Sequence, residues 1–149
     1  MIKHMEQRGF WNFLGPAAIL SIAAIVAAPA SAQQVPRDLP SAKETFITDL
    51  QKAIRDNNSK WIAAHIKYPA NYFGDKIRAM IRNHGYFIAN YKALIGPKLR
   101  AAVLAQNLND FLENWQGIMI GDGASNIWAR EVGKDEKARY LIVTINNGK

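Results

Sequence analysis

Apolar residues recur at helical spacing in the segment that follows residue 41. Between residues 42 and 56 they lie three or four positions apart, which predicts an amphipathic helix. Ser41 and Glu44 fit a capping box, in which the serine oxygen accepts a helix amide and the glutamate reaches back to the cap. A second, shorter helix is predicted from residue 59 to about residue 66. Tyr68-Pro69 then takes the chain out of helix, because a residue before proline disfavours helical backbone.

The next segment alternates apolar and polar residues, as a half-buried strand does. This strand is predicted at residues 76–82, and a turn at Gly74-Asp75 gives it a short partner strand at residues 71–73. The residues on its apolar side are Ile77, Ala79 and Ile81. Asn83 then caps a third helix, and Gly96-Pro97 ends that helix and begins a fourth, because proline is favourable at a first helical position.

The last third of the chain has the pattern of a sheet. Residues 115–120 are apolar, and Gly121-Asp122-Gly123 is a strong turn signal. A strand at residues 125–132 follows, and residues 139–146 are rich in β-branched and aromatic residues, as a central strand is. The pattern therefore predicts an α+β domain in which helices pack on one side of a curved antiparallel sheet.

The N-terminal segment has the features of a cleavable signal peptide. Lys3 and Arg8 supply a positive region, residues 17–28 are strongly apolar, and Ala30-Ser31-Ala32 fits a small-x-small cleavage pattern. An uncleaved membrane anchor is the alternative, but the apolar stretch is shorter than the ~20 residues that a spanning helix needs. We therefore expect a periplasmic or secreted protein with no stable membrane anchor after cleavage.

This interpretation divides the chain into three parts. We expect a signal peptide over residues 1–32, an extended leader over residues 33–40 and a single α+β domain over residues 41–149. The chain has no cysteine. A lipid-attached lipoprotein is therefore excluded, and the domain depends on its apolar core rather than on disulfides.

The charge pattern indicates a soluble basic surface rather than a nucleic-acid site. The 19 Lys and Arg residues exceed the 12 Asp and Glu residues, which gives a formal net charge of +7. The basic residues are spread along the chain with no adjacent run, whereas nucleic-acid binders usually cluster them. The overall positive field of the protein still allows attraction to cell-envelope polymer, lipid headgroups or an acidic protein.

No motif of catalytic or metal-binding residues is found. Asp122 lies between two glycines, which favours a role in a turn over a role as a base. Asp110 and Glu113 are expected on a solvated helical turn. His65 and His84 lack the spacing of a metal site, so we predict no metal and no cofactor.

Aromatic residues with polar tips are the stronger candidates for a binding site. Such side chains commonly line pockets for small apolar ligands, although in a small domain they also fill the core. The ligand-pocket candidates are Tyr68, Tyr72, Tyr91, Trp115 and Trp128. Of these, Tyr91 is expected to be buried with a partner for its hydroxyl.

Three stretches carry a resemblance to a known superfamily. They are Tyr68-Pro69, the Ile81-Arg82-Asn83 segment with Phe87 and Tyr91, and the segment from Asn114-Trp115-Gln116-Gly117 to Gly121 followed by Ile127-Trp128. In these the chain resembles small exported bacterial proteins that are similar to the nuclear transport factor two-like, or cystatin-like cone, superfamily. The resemblance implies a cone-like shell around a pocket. Its members include isomerases, cyclase-like enzymes and non-catalytic binders, so the fold alone does not give the function.

Three functions are consistent with these patterns. The leading hypothesis is an exported, non-catalytic binding or accessory module for a small ligand or a cell-envelope partner. The first alternative is an isomerase or cyclase-type enzyme, although the base and oxyanion donors that isomerase chemistry needs are not matched residue by residue. The second alternative is a basic-surface binder of anionic cell-envelope components, and a homodimer is also left open.

Overall fold

Residues 40–148 are described by the structure, which is a computed structural model. The predicted signal peptide and residues 33–39 of the predicted leader lie outside this range. The helices are α1 (Ala42–Arg55), α2 (Ser59–Ala64), α3 (His84–Ala89), α4 (Tyr91–Leu94) and α5 (Pro97–Ala105), with a 3₁₀ turn at Asp135–Lys137. The strands are β1 (Ile66–Phe73), β2 (Arg78–Ile81), β3 (Leu112–Asn114), β4 (Gly117–Gly121), β5 (Asn126–Val132) and β6 (Arg139–Asn146). The α+β class predicted from the sequence is confirmed.

The six strands form one open, mixed sheet in the order β2-β1-β6-β5-β4-β3. The last strand in the chain, β6, lies at the centre, as its β-branched composition predicts. It pairs antiparallel with β5 but parallel with β1. The expectation of a wholly antiparallel sheet is therefore wrong for this pair. The helices α3, α4 and α5 lie between β2 and β3 in the chain. In the sheet, β6 therefore lies between β1, which precedes these helices, and β5, which follows them.

The helices cover one face of this sheet, and the hydrophobic core lies between the two layers. Every strand from β1 to β6 except β3 contributes buried side chains to it. These strand residues are Ile66, Ala70, Ile81, Ile118, Ile120, Ile127, Ala129, Tyr140, Ile142 and Ile145. The helices contribute the other half of the core, chiefly Phe46, Ile47, Leu50, Ile54, Ile62, Phe87, Leu99 and Val103.

Side-chain caps fix where the helices begin. The Ser41 hydroxyl accepts from the Glu44 amide, and the Glu44 carboxylate accepts from the Ser41 amide at 2.7 Å, which confirms the predicted capping box. Asn83 caps α3, as predicted, through its side-chain oxygen and the Tyr86 amide. Gln51 on α1 ties this helix to α5, because its amide nitrogen donates to the carbonyls of Val103 and Gln106 at 3.0 and 2.9 Å.

Pairing of the central strand is irregular on both of its sides at one position. Along β1, Ile66 pairs with Ile142 and Asn71 pairs with Thr144, so Val143 has no partner there. Along β5 the register also skips from Ala129 opposite Ile142 to Trp128 opposite Thr144. An unpaired residue of this kind bends the strand locally and increases its twist. Pro69 of β1 lies within the same break, and it has no N–H to donate to a ladder.

Several local predictions differ from the structure. The third helix, predicted as one element up to Gly96, is divided at Asn90 into α3 and α4. The first strand begins at Ile66 rather than at residue 71, and Pro69 lies inside it. Ile77 precedes β2 and is 62% exposed, so it is not part of the buried face. Glu113 belongs to β3 and not to a helical turn, and Asp110 lies in the loop before that strand.

Within residues 40–148, no helix has both the length and the apolar character that crossing a membrane requires.

The packing of helices on one face predicts that substitutions of two isoleucines differ sharply in their effect on stability. Ile127→Ala removes a fully buried side chain from the centre of the core. We expect it to lower the free energy of unfolding by about 2–5 kcal/mol, from lost burial and the cavity left behind. Ile77→Ala is the control, and we expect it to stay within about 0.5 kcal/mol of the original protein. Urea denaturation followed by circular dichroism measures both, and equal losses would contradict this two-layer core.

Candidate binding site

The sheet face opposite the helices carries a cavity of about 590 Å³. It lies over the irregular pairing around Val143 and extends across β1, β6 and β5 to the turn between β3 and β4. Its lining residues are Lys67, Pro69, Asn71, Phe73, Trp115, Gln116, Trp128, Arg130, Val143, Thr144 and Asn146. We call this sheet surface the open face, because no described helix covers it.

Two tryptophans provide the large apolar surfaces at one end of the cavity. Trp128 projects from β5, next to Thr144 of β6 and Met119 of β4. Trp115 lies in the β3–β4 turn, and its side chain is 85% exposed. A surface indole of this size with no packing partner is unusual, because exposure of large apolar groups in water is unfavourable.

Hydrogen bonds hold the turn that presents Trp115. The Asn114 side-chain oxygen accepts from the Gln116 amide at 2.8 Å, and Arg130 Nε donates to the Gln116 carbonyl at 3.3 Å. Gly117 ends the turn at a φ of 124°, and a Cβ there would meet the backbone oxygen of Ala129 on β5. Only glycine adopts this positive φ readily and also leaves room for the Ala129 oxygen. The Trp-x-Gly segment singled out in the sequence is thus a fixed support for an exposed indole.

A second cavity of about 590 Å³ adjoins the first on the same face. The two share Pro69, and the second extends over β2 to the edge of the sheet. Its remaining lining residues are Arg78, Ala79, Met80, Arg82 and Tyr86. We call the two adjoining cavities the open-face groove.

The groove carries positive charge and no carboxylate. Lys67 and Arg130 line the first cavity, and Arg78 and Arg82 line the second. Among residues 40–148, neither cavity is lined by Asp or Glu. The fold therefore gathers on one face basic residues that are far apart in the chain. Such an arrangement attracts anions and raises their local concentration.

The five predicted pocket aromatics are divided between the two faces of the sheet. Trp115 and Trp128 line the groove. Tyr68 and Tyr72 point toward the helices, where their hydroxyls donate to the carbonyls of Ala63 and Ala93 at 2.9 and 3.4 Å. Tyr91 is buried against Phe87, and its hydroxyl oxygen accepts from Arg100 at 3.2 Å. The predicted burial of Tyr91 is confirmed.

Two carboxylates outside the groove, Asp122 and Glu113, have structural partners. Asp122 Oδ1 accepts from the amides of Ala124 and Ser125 at 2.8 and 2.6 Å, and these bonds lower the pKa of Asp122. A carboxylate whose pKa is lowered is a weak base, so the turn role predicted for Asp122 fits. Glu113 accepts from Lys43 Nζ at 2.6 Å, which links β3 to α1.

A smaller cleft on the helix side holds a different set of polar residues. It measures about 250 Å³, and Asp49 and His65 are among the residues that line it. His65 Nδ1 lies 2.7 Å from the Trp61 carbonyl, and its ring stacks on Trp61 with centroids 3.8 Å apart. His65 is the C-cap of α2, so this helix ends slightly before the predicted residue 66. His84 is the exposed first residue of α3, and residues 40–148 contain no group of three or more metal-ligating side chains.

Comparison with known proteins adds no relative. No family model, no curated protein and no solved structure matches the chain. The site must therefore be interpreted from its own geometry.

Most groove residues were not among the candidates from the sequence. Lys67, Asn71 and Phe73 lie at alternate positions of β1. This spacing places them on one face only if residues 66–73 form a strand, which the sequence did not predict. Arg130 and Thr144 likewise follow from strand register rather than from any motif. The available signal was the polar half of each predicted strand, which marks the face away from the core.

The exposure of Trp115 gives a prediction that separates binding from stability. Trp115→Ala should leave the free energy of unfolding within about 0.5 kcal/mol of the original value, because the indole is 85% exposed. Trp61→Ala is the matched change on the helix side, where the indole packs against His65 and Phe46. It should cost at least about 2 kcal/mol. Urea denaturation decides, and a large loss in Trp115→Ala would place that indole in the core.

Asp122 gives a prediction about acid stability. Its pKa is lowered in the folded state, so the stabilisation is present above the unfolded pKa and is lost as pH falls through the folded value. Asp122→Asn should therefore be less stable than the original protein at neutral pH. The difference should shrink at acid pH, as the pH falls through the lowered pKa of Asp122 and the original carboxyl becomes protonated. Urea denaturation at both pH values measures it, and a pH-independent difference would show that the charge does not matter.

Proposed function

We propose that this chain is a non-catalytic binding module whose site is the open-face groove. Its ligand is anionic and carries a ring with an apolar face. The observation that carries this proposal is the combination of two indoles and four cationic side chains, with no described carboxylate, on the sheet face that the helices leave uncovered. Pockets of this kind hold an apolar ring against aromatic side chains and fix its charged group with a few polar ones.

The enzyme alternative has less support from the groove. Isomerase or cyclase chemistry needs a base within reach of the substrate proton. Among the described residues, the groove is lined by neither a carboxylate nor a histidine. Asp49 and His65 line the helix-side cleft, which has less than half the volume of either groove cavity. The cations and indoles of the groove therefore support binding better than catalysis.

Charge also argues against a homodimer through the open face. In a symmetric dimer the same patch meets itself, so Lys67, Arg78, Arg82 and Arg130 of one copy would approach those of the other. No described carboxylate lines the groove to pair with them. Like charges brought together in this way oppose association. An anionic ligand is the complementary partner.

The predicted export is consistent with this function. A signal peptide over residues 1–32 would deliver the domain to the periplasm or the medium, where anionic cell-envelope components are abundant ligands. The cone-like curvature and the relationship to the nuclear transport factor two-like superfamily remain part of the proposal. Their support is the sequence resemblance, together with a six-stranded sheet that carries its helices on one face.

The proposal is tested by nuclear magnetic resonance with two matched probes. 2-Naphthoate has an aromatic ring system and a carboxylate, whereas 2-naphthalenemethanol has the same rings and no charge. Titration with 2-naphthoate should shift the indole N–H signals of Trp115 and Trp128 and leave that of Trp61 unmoved. The neutral alcohol should bind more weakly, and added salt should weaken only the binding of the anion.

Charge variants complete this test. Lys67→Gln should weaken naphthoate binding by about two- to fivefold, which is the usual effect of one exposed ion pair. Lys98→Gln on α5 is the matched control, because Lys98 is exposed and lies outside the groove. Equal effects of the two variants, or shifts confined to Trp61, would contradict the proposal.

A further inference from the structure

We infer that the ligand of the open-face groove is a chain of linked acidic sugars that lies across the strands. This inference rests on the proposed function and adds to it the chemical class of the ligand. Its basis is the order in which aromatic, neutral polar and cationic residues follow one another along the groove.

The length of the groove favours a chain over a single small molecule. From Trp128 on β5 to Arg78 on β2, the groove crosses β6 and β1. Three strand intervals of about 4.8 Å make this distance about 14 Å, and Trp115 lies beyond Trp128. One sugar ring covers only part of that distance. Pro69 lines both cavities, and Asn71 and Phe73 of the first pair with Met80 and Arg78 of the second, so one ligand can extend from one cavity into the other.

Neutral hydrogen-bonding side chains occupy the middle of the groove. They are Asn71 on β1 and Thr144 and Asn146 on β6, while Gln116 lies beside Trp115 at the indole end. Asn146 is held by a 2.5 Å hydrogen bond from its amide nitrogen to Asn126 Oδ1, so its own oxygen can accept from a ligand. A ligand that is rich in hydroxyl groups can form hydrogen bonds with these closely spaced amide and hydroxyl side chains. The flanking cations match carboxylates spaced along it.

The aromatic residues favour sugars over nucleic-acid bases. Single-stranded nucleic acids are bound on successive aromatic platforms along a cationic groove. Here the guanidinium of Arg78 lies over the ring of Phe73, 5.5 Å from its centroid, so that ring face is already covered. The indoles are confined to one end, where the apolar face of a sugar ring can pack on them. The rest of the groove provides hydrogen bonds and positive charge.

The experiment compares binding of four ligands to the purified protein by isothermal titration calorimetry. Tetragalacturonate has four acidic sugar rings, and its methyl ester has the same rings without charge. Polyglutamate has carboxylates without rings, and a short oligothymidylate represents nucleic acid. Tetragalacturonate should bind at least about fivefold more tightly than its methyl ester, which corresponds to one or more ion pairs. It should also bind more tightly than galacturonate itself, polyglutamate or oligothymidylate.

Variants at the two ends of the groove test whether one chain spans it. Trp115→Ala and Arg82→Gln should each weaken tetragalacturonate binding, while Arg82→Gln should leave the binding of single galacturonate unchanged. Lys98→Gln is again the control. Weakening by Trp115→Ala alone would overturn the spanning chain, since Arg82 would then have no part in binding.

The remaining outcomes separate this inference from the proposed function. Tighter binding of oligothymidylate or polyglutamate would overturn the acidic sugar chain and identify the other polymer class. Naphthoate binding at Trp115 and Trp128 without any binding of galacturonates would overturn this inference and leave the proposed function standing. Failure of both naphthoate and galacturonates would overturn both.

Discussion

The packing of helices against a single face of the sheet is the interaction on which the rest of the structure depends. With no cysteine in the chain, the described fold has no disulfide to hold it together. Isoleucines on three neighbouring strands, β4, β5 and β6, meet the helices and are fully buried, among them Ile118, Ile127 and Ile142. Each such side chain contributes about 1.5–3 kcal/mol on burial. Because side chains alternate along a strand, this packing also determines which residues face away from the core.

The groove lies over an irregularity in the pairing of the central strand. Val143 has no partner on either side, and Pro69 of the neighbouring strand cannot donate a ladder hydrogen bond. A regular sheet would present an even surface at this point. Here the pairing skips Val143, and residues around this position line the cavity. The sequence feature that interrupts the ladder is therefore also the one that shapes the site.

Much of the fold was predictable from the sequence, and the site was predictable only in part. The capping box at Ser41 and the composition of residues 139–146 are local signals, and both led to correct elements. The strand through Pro69 was missed because proline opposes both helix and ladder pairing, so its neighbours alone do not indicate a strand. The parallel pairing of β1 with β6 depends on contacts between the two ends of the domain, which periodicity does not report. Trp115 was a candidate, but its exposure depends on a turn whose geometry needs Gly117 and a neighbouring strand.

One face of the sheet packs against the helices and the other carries the groove. Substitutions can therefore change binding and stability separately. Tyr68 and Ala70 on β1 face the helices, whereas Lys67 and Asn71 on the same strand line the groove. A change on the open face therefore alters charge and ligand contacts without removing buried apolar surface. Four basic residues from separate parts of the sheet, Lys67, Arg78, Arg82 and Arg130, meet on the face that the core does not use.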